Sequence, residues 1–248
     1  LERAVPVSSA ALKLITRGIG ALWTRIVDAS PLADSRPLLL SYDVHPTPEG
    51  PVLIEVNTNA GGILTAMQAA RHTNEHCADW EYDLLEERLV ALFRRDLLGD
   101  NKERTGVVAI VDDELGSQPL LPEMRELGDL LRPLAQEVLI VDAGELEFRD
   151  GRLRHSDTAI DRIYWRSTDF LSRDPVHASI RQAVLSGSVV LAPSPEAYQA
   201  IADKRRLIGW SKEPELARDA ATGLTFRVAE TVPFCQKSVT DWYAQRSE

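Results

Sequence analysis

Asp43, Glu55 and Asn57 fall in two short β-like runs, residues 38–45 and 51–57, joined by the turn-rich segment PTPEG. Residues two apart on a strand share a face, so Glu55 and Asn57 point the same way. If the two runs pair antiparallel, Asp43 lies on that side too. Two carboxylates and an amide oxygen are hard donors suited to Mg²⁺, which takes one or two carboxylates and leaves its other positions to water and phosphate oxygens. Leu53, Ile54 and Val56 are expected to anchor the second strand. Gly61 and Gly62 follow it and leave backbone bare for the close approach of a ligand. Spacing alone also fits a solvent-facing hairpin with ordinary surface acids, because D-x-H and E-x-N are short patterns.

Further along the chain, "IDRIYWRSTDF" ends a core-like run in Arg166. A guanidinium at a strand end is built for bidentate carboxylate binding, and pairing with Asp169 is the structural alternative. Lys204, in "IADKRRLIGW", reads on local pattern as part of a solvated basic helix face. Asp112 and Asp113 close the first strand of an alternating region, where open α/β sheets place ligand groups, and are read first as a helix-entry cap. Ser117 and Ser167 have no partner pattern that marks a nucleophile. His72 and His76 flank Glu75 on a helical stretch without the usual zinc order.

These residues need elements to position them. Leu12, Ile15, Ile19, Leu22 and Ile26 recur at helical spacing and predict an amphipathic helix over 8–28, with Ser8 or Ser9 as its N-cap. Helices are expected at 63–72 and 79–98, the second with Trp80, Leu84, Leu85, Leu89, Leu92 and Phe93 on its apolar face. The polar stretch 99–105 reads as a linker. Beyond it, strands at 106–113, 137–143, 159–166 and 188–194 alternate with helices at 119–135 and 175–186, and Asp150-Gly151 marks a hairpin. Residues 195–212 read as helical; from Pro214 onward helix-like and extended signals mix. The expected class is α/β: N-terminal helices with a β-hairpin, then a Rossmann-like, mostly parallel sheet. No GxGxxG follows its first strand, which weighs against a dinucleotide oxidoreductase. The domain reading is 1–103, 104–200 and 201–248. A site using both the hairpin and Arg166 would lie in an interdomain cleft.

Bulk composition narrows the partners. A formal charge of −10 over 248 residues argues against nucleic acid or an anionic membrane surface. No run approaches the ~20 apolar residues of a membrane span, and no signal-peptide pattern opens the chain. Cys77 and Cys235 have no ligand-like or redox spacing and are expected to be reduced thiols in a cytoplasmic protein. Leu1 and the ending at Glu248 suggest a fragment. Oligomeric state leaves no mark in the sequence.

The polar hairpin resembles the glutathionylspermidine synthase family, where D-F-H is followed on the next strand by E-Y-N with the separations seen from Asp43 to Glu55 and Asn57. "EVNTNAGG" is similar to the E-I-N-T run closing in glycines of eukaryotic glutathione synthetase. Tyr164, Trp165 and Arg166 match the Y-F-R strand end that supplies an arginine to the substrate carboxylate, and Lys204 matches a lysine near the nucleotide. The resemblance spans roughly residues 38–210. It implies an ATP-grasp, ADP-forming carboxylate–amine ligase, represented by its N-terminal and pre-ATP-grasp portions. Its cofactors would be ATP and Mg²⁺, and its substrates a small-molecule or peptide acid and an amine. On this basis Asp43, Glu55 and Asn57 are candidate metal ligands. Lys204 is a nucleotide contact, Arg166 a catalytic, substrate-orienting group, and Asn59, Gly61 and Gly62 substrate-binding positions. Serines of the thiol-peptide families are replaced by Ala60 and Gly62, and an arginine by Ser41, so the resemblance does not extend to a glutathione-type substrate. The family's glycine-rich loop and late carboxylates would follow residue 248, so residues 1–248 are expected to be inactive alone. A non-catalytic, degenerate binding module is the alternative.

Overall fold

The computed structural model describes residues 7–29, 37–73, 82–99, 105–213 and 215–233. The expectations placed on Glu75, His76, Cys77, Trp80 and Cys235 lie outside them. In chain order the first elements are α1 (Ser9–Ala29), β1 (Ser41–His45), β2 (Val52–Asn57), α2 (Ile63–Thr73) and α3 (Tyr82–Phe93). Next come β3 (Thr105–Asp112), α4 (Leu121–Leu131), β4 (Ala135–Asp142), β5 (Leu146–Arg149), β6 (Arg152–His155), β7 (Thr158–Ala159) and β8 (Arg162–Trp165). The remainder are α5 (Ala178–Leu185), β9 (Val190–Ala192), α6 (Pro195–Ala197), α7 (Arg205–Trp210), β10 (Ala217–Arg218) and β11 (Thr225–Val228). The fold is mixed α/β. No helix among the described residues is long and apolar enough to cross a membrane.

The chain forms two compact units, interleaved in sequence. The first contains α1, β1, β2, α7, β10 and β11; the second contains Leu38–Leu40 and the elements from α2 to α6.

In the first unit the sheet order is β1-β2-β11-β10. The hairpin is antiparallel, β11 joins β2 in parallel, and β10 returns antiparallel to β11. The extended signals after Pro214 are therefore two strands of this sheet. Ser8 caps α1, its Oγ accepting the Ala11 N–H at 3.2 Å. The buried stripe of α1 is Leu14, Gly18, Leu22 and Ile26. Leu12, expected on that face, is 54% exposed. The stripe runs through a glycine because the Phe226 ring packs there: a Cβ at Gly18 would come within 2.0 Å of Phe226 Cδ1.

The second unit is built on an all-parallel sheet, β4-β3-β8-β9. Strand β3 alternates faces as period-2 geometry requires. Val108 and Ile110 join Leu64, Met67, Leu89, Phe93, Met124 and Leu127 of the helical layer α2–α4. Ala109 and Val111 join Leu153, Ile163, Trp165 and Ile180 on the other side, under α5 and the three-stranded sheet β5-β6-β7. Burial on both faces explains the unbroken apolar run VVAIV. Asp150 and Gly151, with φ of 54° and 73°, make the left-handed turn between β5 and β6. At the end of α3 the helix widens into a π turn over Arg94–Leu98, which buries Asp96, Leu97 and Leu98 in succession.

Candidate functional site

The register of the hairpin decides which face its polar groups share. Asp43 pairs directly with Glu55, and Ser41 with Asn57. Directly paired residues of antiparallel strands point to the same side, so Asp43, Glu55 and Asn57 line one face with Ser41. The register shifts immediately beyond Asp43, where Val44 pairs with Leu53 and Ile54 is the extra residue. This bulge lets Leu53 and Val56 both be buried although their spacing in a regular strand would put them on opposite faces. Ile54 is the exception to the expected anchoring: the bulge leaves it 46% exposed.

Lys204, the residue before α7, reaches the same face, with Nζ 3.2 Å from Glu55 Oε2. Its neighbours are held on both sides. Asp203 is buried, and its carboxylate accepts the backbone N–H and the Nε–H of Arg205, each at 3.0 Å. The Arg205 guanidinium holds the Asp203 carboxyl below the usual range. Among the described residues no group of three or more His, Cys, Asp or Glu side chains is placed to hold a metal. The hairpin face offers two carboxylates and an amide oxygen, with the lysine ammonium standing where a cation is attracted.

The second unit gathers the other candidates. Arg166 follows β8 and is 9% exposed. Its Nη1 donates to the carbonyls of Asn59 (2.6 Å) and Ala60 (3.0 Å) and to the Tyr164 hydroxyl (3.0 Å). In return the Asn59 side-chain amide donates to the Arg166 carbonyl at 3.0 Å. A Cβ at Gly61 would lie 2.7 Å from Arg166 Nη2 and 2.5 Å from Leu120 Cδ1, so one or both of those side-chain ends would have to shift. Asp169 is not its partner. Arg166, Asn59 and Gly61 therefore form one cluster, in which Nη1 serves the chain's own carbonyls.

Gly62 is also engaged. The N–H groups of Gly62 and Leu64, at the start of α2, donate to the two oxygens of Glu123 on α4, the second at 3.0 Å. Nothing in the sequence sets Glu123 apart from an ordinary helix acid, yet its residue is 7% exposed. Glu123 and Arg166 border a small cavity otherwise lined by apolar side chains such as Leu39, Ile63, Phe93 and Met124. Its volume of about 20 Å³ suits a water molecule rather than a substrate.

At the C-terminal ends of β3 and β8 the acids do something other than cap a helix. The Asp112 carboxylate accepts the Asp113 N–H at 2.9 Å. Burial pushes the Asp112 carboxyl up, against the Asp113 N–H and the Arg166 charge, which pull it down. Asp113 accepts the Ser167 hydroxyl at 2.5 Å and contacts His177 Nε2 at 2.7 Å. The other ring nitrogen of His177, Nδ1, lies 3.1 Å from Asp169 Oδ2. The buried imidazole packs edge-on to Trp165, with centroids 4.8 Å apart. Burial opposes ionisation of Asp169, but the Asp174 N–H and His177 outweigh it and hold the carboxyl low. Ser167 is fully buried and faces a carboxylate, not the imidazole, so the group is a cross-brace rather than a nucleophile. No local motif announces it; the one signal in the sequence is polar residues at the ends of core strands.

No protein-family model matches this chain, and no curated protein sequence matches it.

Proposed function

We propose that this chain is the N-terminal and pre-ATP-grasp portion of an ATP-dependent, ADP-forming carboxylate–amine ligase. The observation that carries the reading is the pairing of Asp43 with Glu55, which puts two carboxylates and Asn57 on one sheet face beside the Lys204 ammonium. The donor set fits Mg²⁺, which shares its remaining positions with phosphate oxygens and water. When bound, the ion would neutralise phosphate charge during transfer. The Rossmann-like reading of the four-stranded parallel sheet agrees with a pre-ATP-grasp substrate domain.

In the proposed reaction a substrate carboxylate oxygen attacks the γ-phosphorus of ATP, and ADP leaves. The amine nitrogen then attacks the acyl carbon, phosphate departs, and the nitrogen loses a proton. Lys204 would hold nucleotide phosphate. Arg166 would orient the acid through the guanidinium edge not used by Nη1, with Asn59, Gly61 and Gly62 shaping the adjoining backbone. In the full-length protein, Glu55→Gln is expected to abolish Mg·ATP-dependent ADP release; unaltered turnover would remove the metal assignment.

One observation favours a second reading, a binding module without turnover. The Nη1 of Arg166 and the amide of Gly62 are satisfied from within the chain, and the cavity beside them has room for little more than water. Ligand-dependent thermal stabilisation without ADP production in the full-length protein would select that reading. Residues 1–248 by themselves are expected to hydrolyse little or no ATP and to gain at most a small Mg·ATP-dependent stabilisation.

A further inference from the structure

The Lys204–Glu55 ion pair poses a question for a site that takes Mg²⁺. Lys204 Nζ sits 3.2 Å from Glu55 Oε2, so a positive charge already stands at the carboxylate a cation on this face would use. An ammonium and a divalent cation drawn to one carboxylate repel each other, so each weakens the other's hold on Glu55. From this, and resting on the metal-site reading above, we infer that Lys204 is a resident counter-cation which Mg²⁺ must displace from Glu55. The displaced ammonium is then available to nucleotide phosphate.

The two ends of the lysine are built differently, as such an exchange requires. Its backbone lies between Asp203, buried and bonded to Arg205, and the first turn of α7. Its side chain is 70% exposed, while that of Glu55 is 29% exposed. The backbone is anchored, while the largely exposed side chain has solvent to swing into once its ammonium leaves Glu55. Lysine suits this role better than arginine, being a compact point charge on a flexible stem with no planar fork to lock onto a carboxylate. An ion pair this exposed is weak, so it lowers metal affinity without preventing binding. Metal alone has to overcome the lysine. Metal with ATP brings phosphate oxygens that the released ammonium can bind. Lys204 should therefore oppose metal binding in the first case and favour it in the second.

The test is a titration of Mn²⁺ as a Mg²⁺ surrogate, counting free Mn²⁺ by electron paramagnetic resonance, with and without ATP. It uses the wild-type chain, Lys204→Met and Glu55→Gln. Lys204→Met is expected to bind Mn²⁺ alone about two- to five-fold more tightly than wild type, the range an exposed ion pair supports. The same variant is expected to bind Mn·ATP more weakly. Glu55→Gln should bind neither appreciably. Unchanged or weaker Mn²⁺ binding by Lys204→Met, with Glu55→Gln still defective, overturns the exchange and leaves the metal site standing. Binding by Glu55→Gln equal to wild type, or no saturable binding by wild type at millimolar Mn²⁺, overturns the metal-site reading and the exchange with it. Circular dichroism of each variant separates these outcomes from misfolding.

Discussion

The backbone N–H of Gly62 donates to the carboxylate of Glu123, so the glycine pair after the polar hairpin is closed by an acid from another helix. Glu123 also accepts the Leu64 N–H and so serves two of the N–H groups that α2 leaves without intrahelical partners. A carboxylate suits this place because the helix N-terminus carries partial positive charge. Glu123→Gln keeps one acceptor oxygen and turns an NH₂ toward the other amide. It is expected to cost about 1–3 kcal/mol, measured as a shift in the urea midpoint with little change in m-value. An unchanged midpoint would show that the carboxylate contributes nothing to this helix start.

Two glycines of α1 make an internal comparison. Gly20 is exposed, with nothing within 4 Å of the place an added methyl would take, so Gly20→Ala should stabilise the protein by roughly 0.5–1 kcal/mol through helix propensity. Gly18 faces the Phe226 ring, which is fully buried and sits where the added methyl would go. There the same substitution should destabilise by about 1–3 kcal/mol, because a packed core relieves overpacking poorly. Thermal melts of the two variants should move in opposite directions.

The residues that sequence patterning reads well are those whose neighbours in space are also neighbours along the chain. The β1–β2 hairpin, the Asp150-Gly151 turn and the apolar run of β3 are local or strongly periodic, and each lies close to its expected place. The first unit illustrates the limit, because its sheet is completed by β11, which pairs with β2 from 175 residues away. The short extended signal around Thr225–Val228 could not announce that pairing. The Ile54 bulge was equally hidden, since it follows from fitting both Leu53 and Val56 into a core. Of the candidate site, the shared face of Glu55 and Asn57 was legible from strand period, whereas Asp43 joins it through the antiparallel register that pairs it with Glu55. Glu123 and His177 were not legible, because Glu123 acts on the Leu64 backbone 59 residues away and His177 ties the nearby Asp169 to Asp113, 64 residues away.

Two aspartates of the second unit should respond to pH with opposite signs. Asp169 is held below its ordinary value in the fold, so the unfolded chain binds more protons in that window and stability rises with pH. Its contribution is fully present above about pH 4, the usual carboxyl value, and is lost as pH falls through the lowered folded value. Asp169→Asn should therefore be less stable than wild type at neutral pH, with the difference shrinking in acid. Asp112 is held above its ordinary value, so its ionisation weakens the fold as pH rises through and beyond the usual carboxyl range. Asp112→Asn keeps an oxygen for the Asp113 N–H and should gain stability at neutral pH, converging on wild type in acid. Denaturant midpoints measured from about pH 3 to pH 8 read both slopes.

Gly61 and Arg166 should be energetically coupled. The missing side chain at Gly61 is what lets Arg166 Nη2 lie where a Cβ would come within 2.7 Å, while Nη1 holds the Asn59 and Ala60 carbonyls. Gly61→Ala should push the guanidinium out of that position and loosen both carbonyl bonds. Arg166→Met should leave the two carbonyls and the Tyr164 hydroxyl without this donor, at about 2–4 kcal/mol, since unmade bonds to buried polar groups cost the desolvation penalty. Once the guanidinium is gone, the alanine methyl has one fewer neighbour to displace, although Leu120 Cδ1 still crowds it at 2.5 Å. In a double-mutant cycle, Gly61→Ala should cost at least about 0.5 kcal/mol less in the Arg166→Met background than in wild type. Strict additivity would mean that Leu120 alone demands the glycine, and that Arg166 is held without help from residue 61.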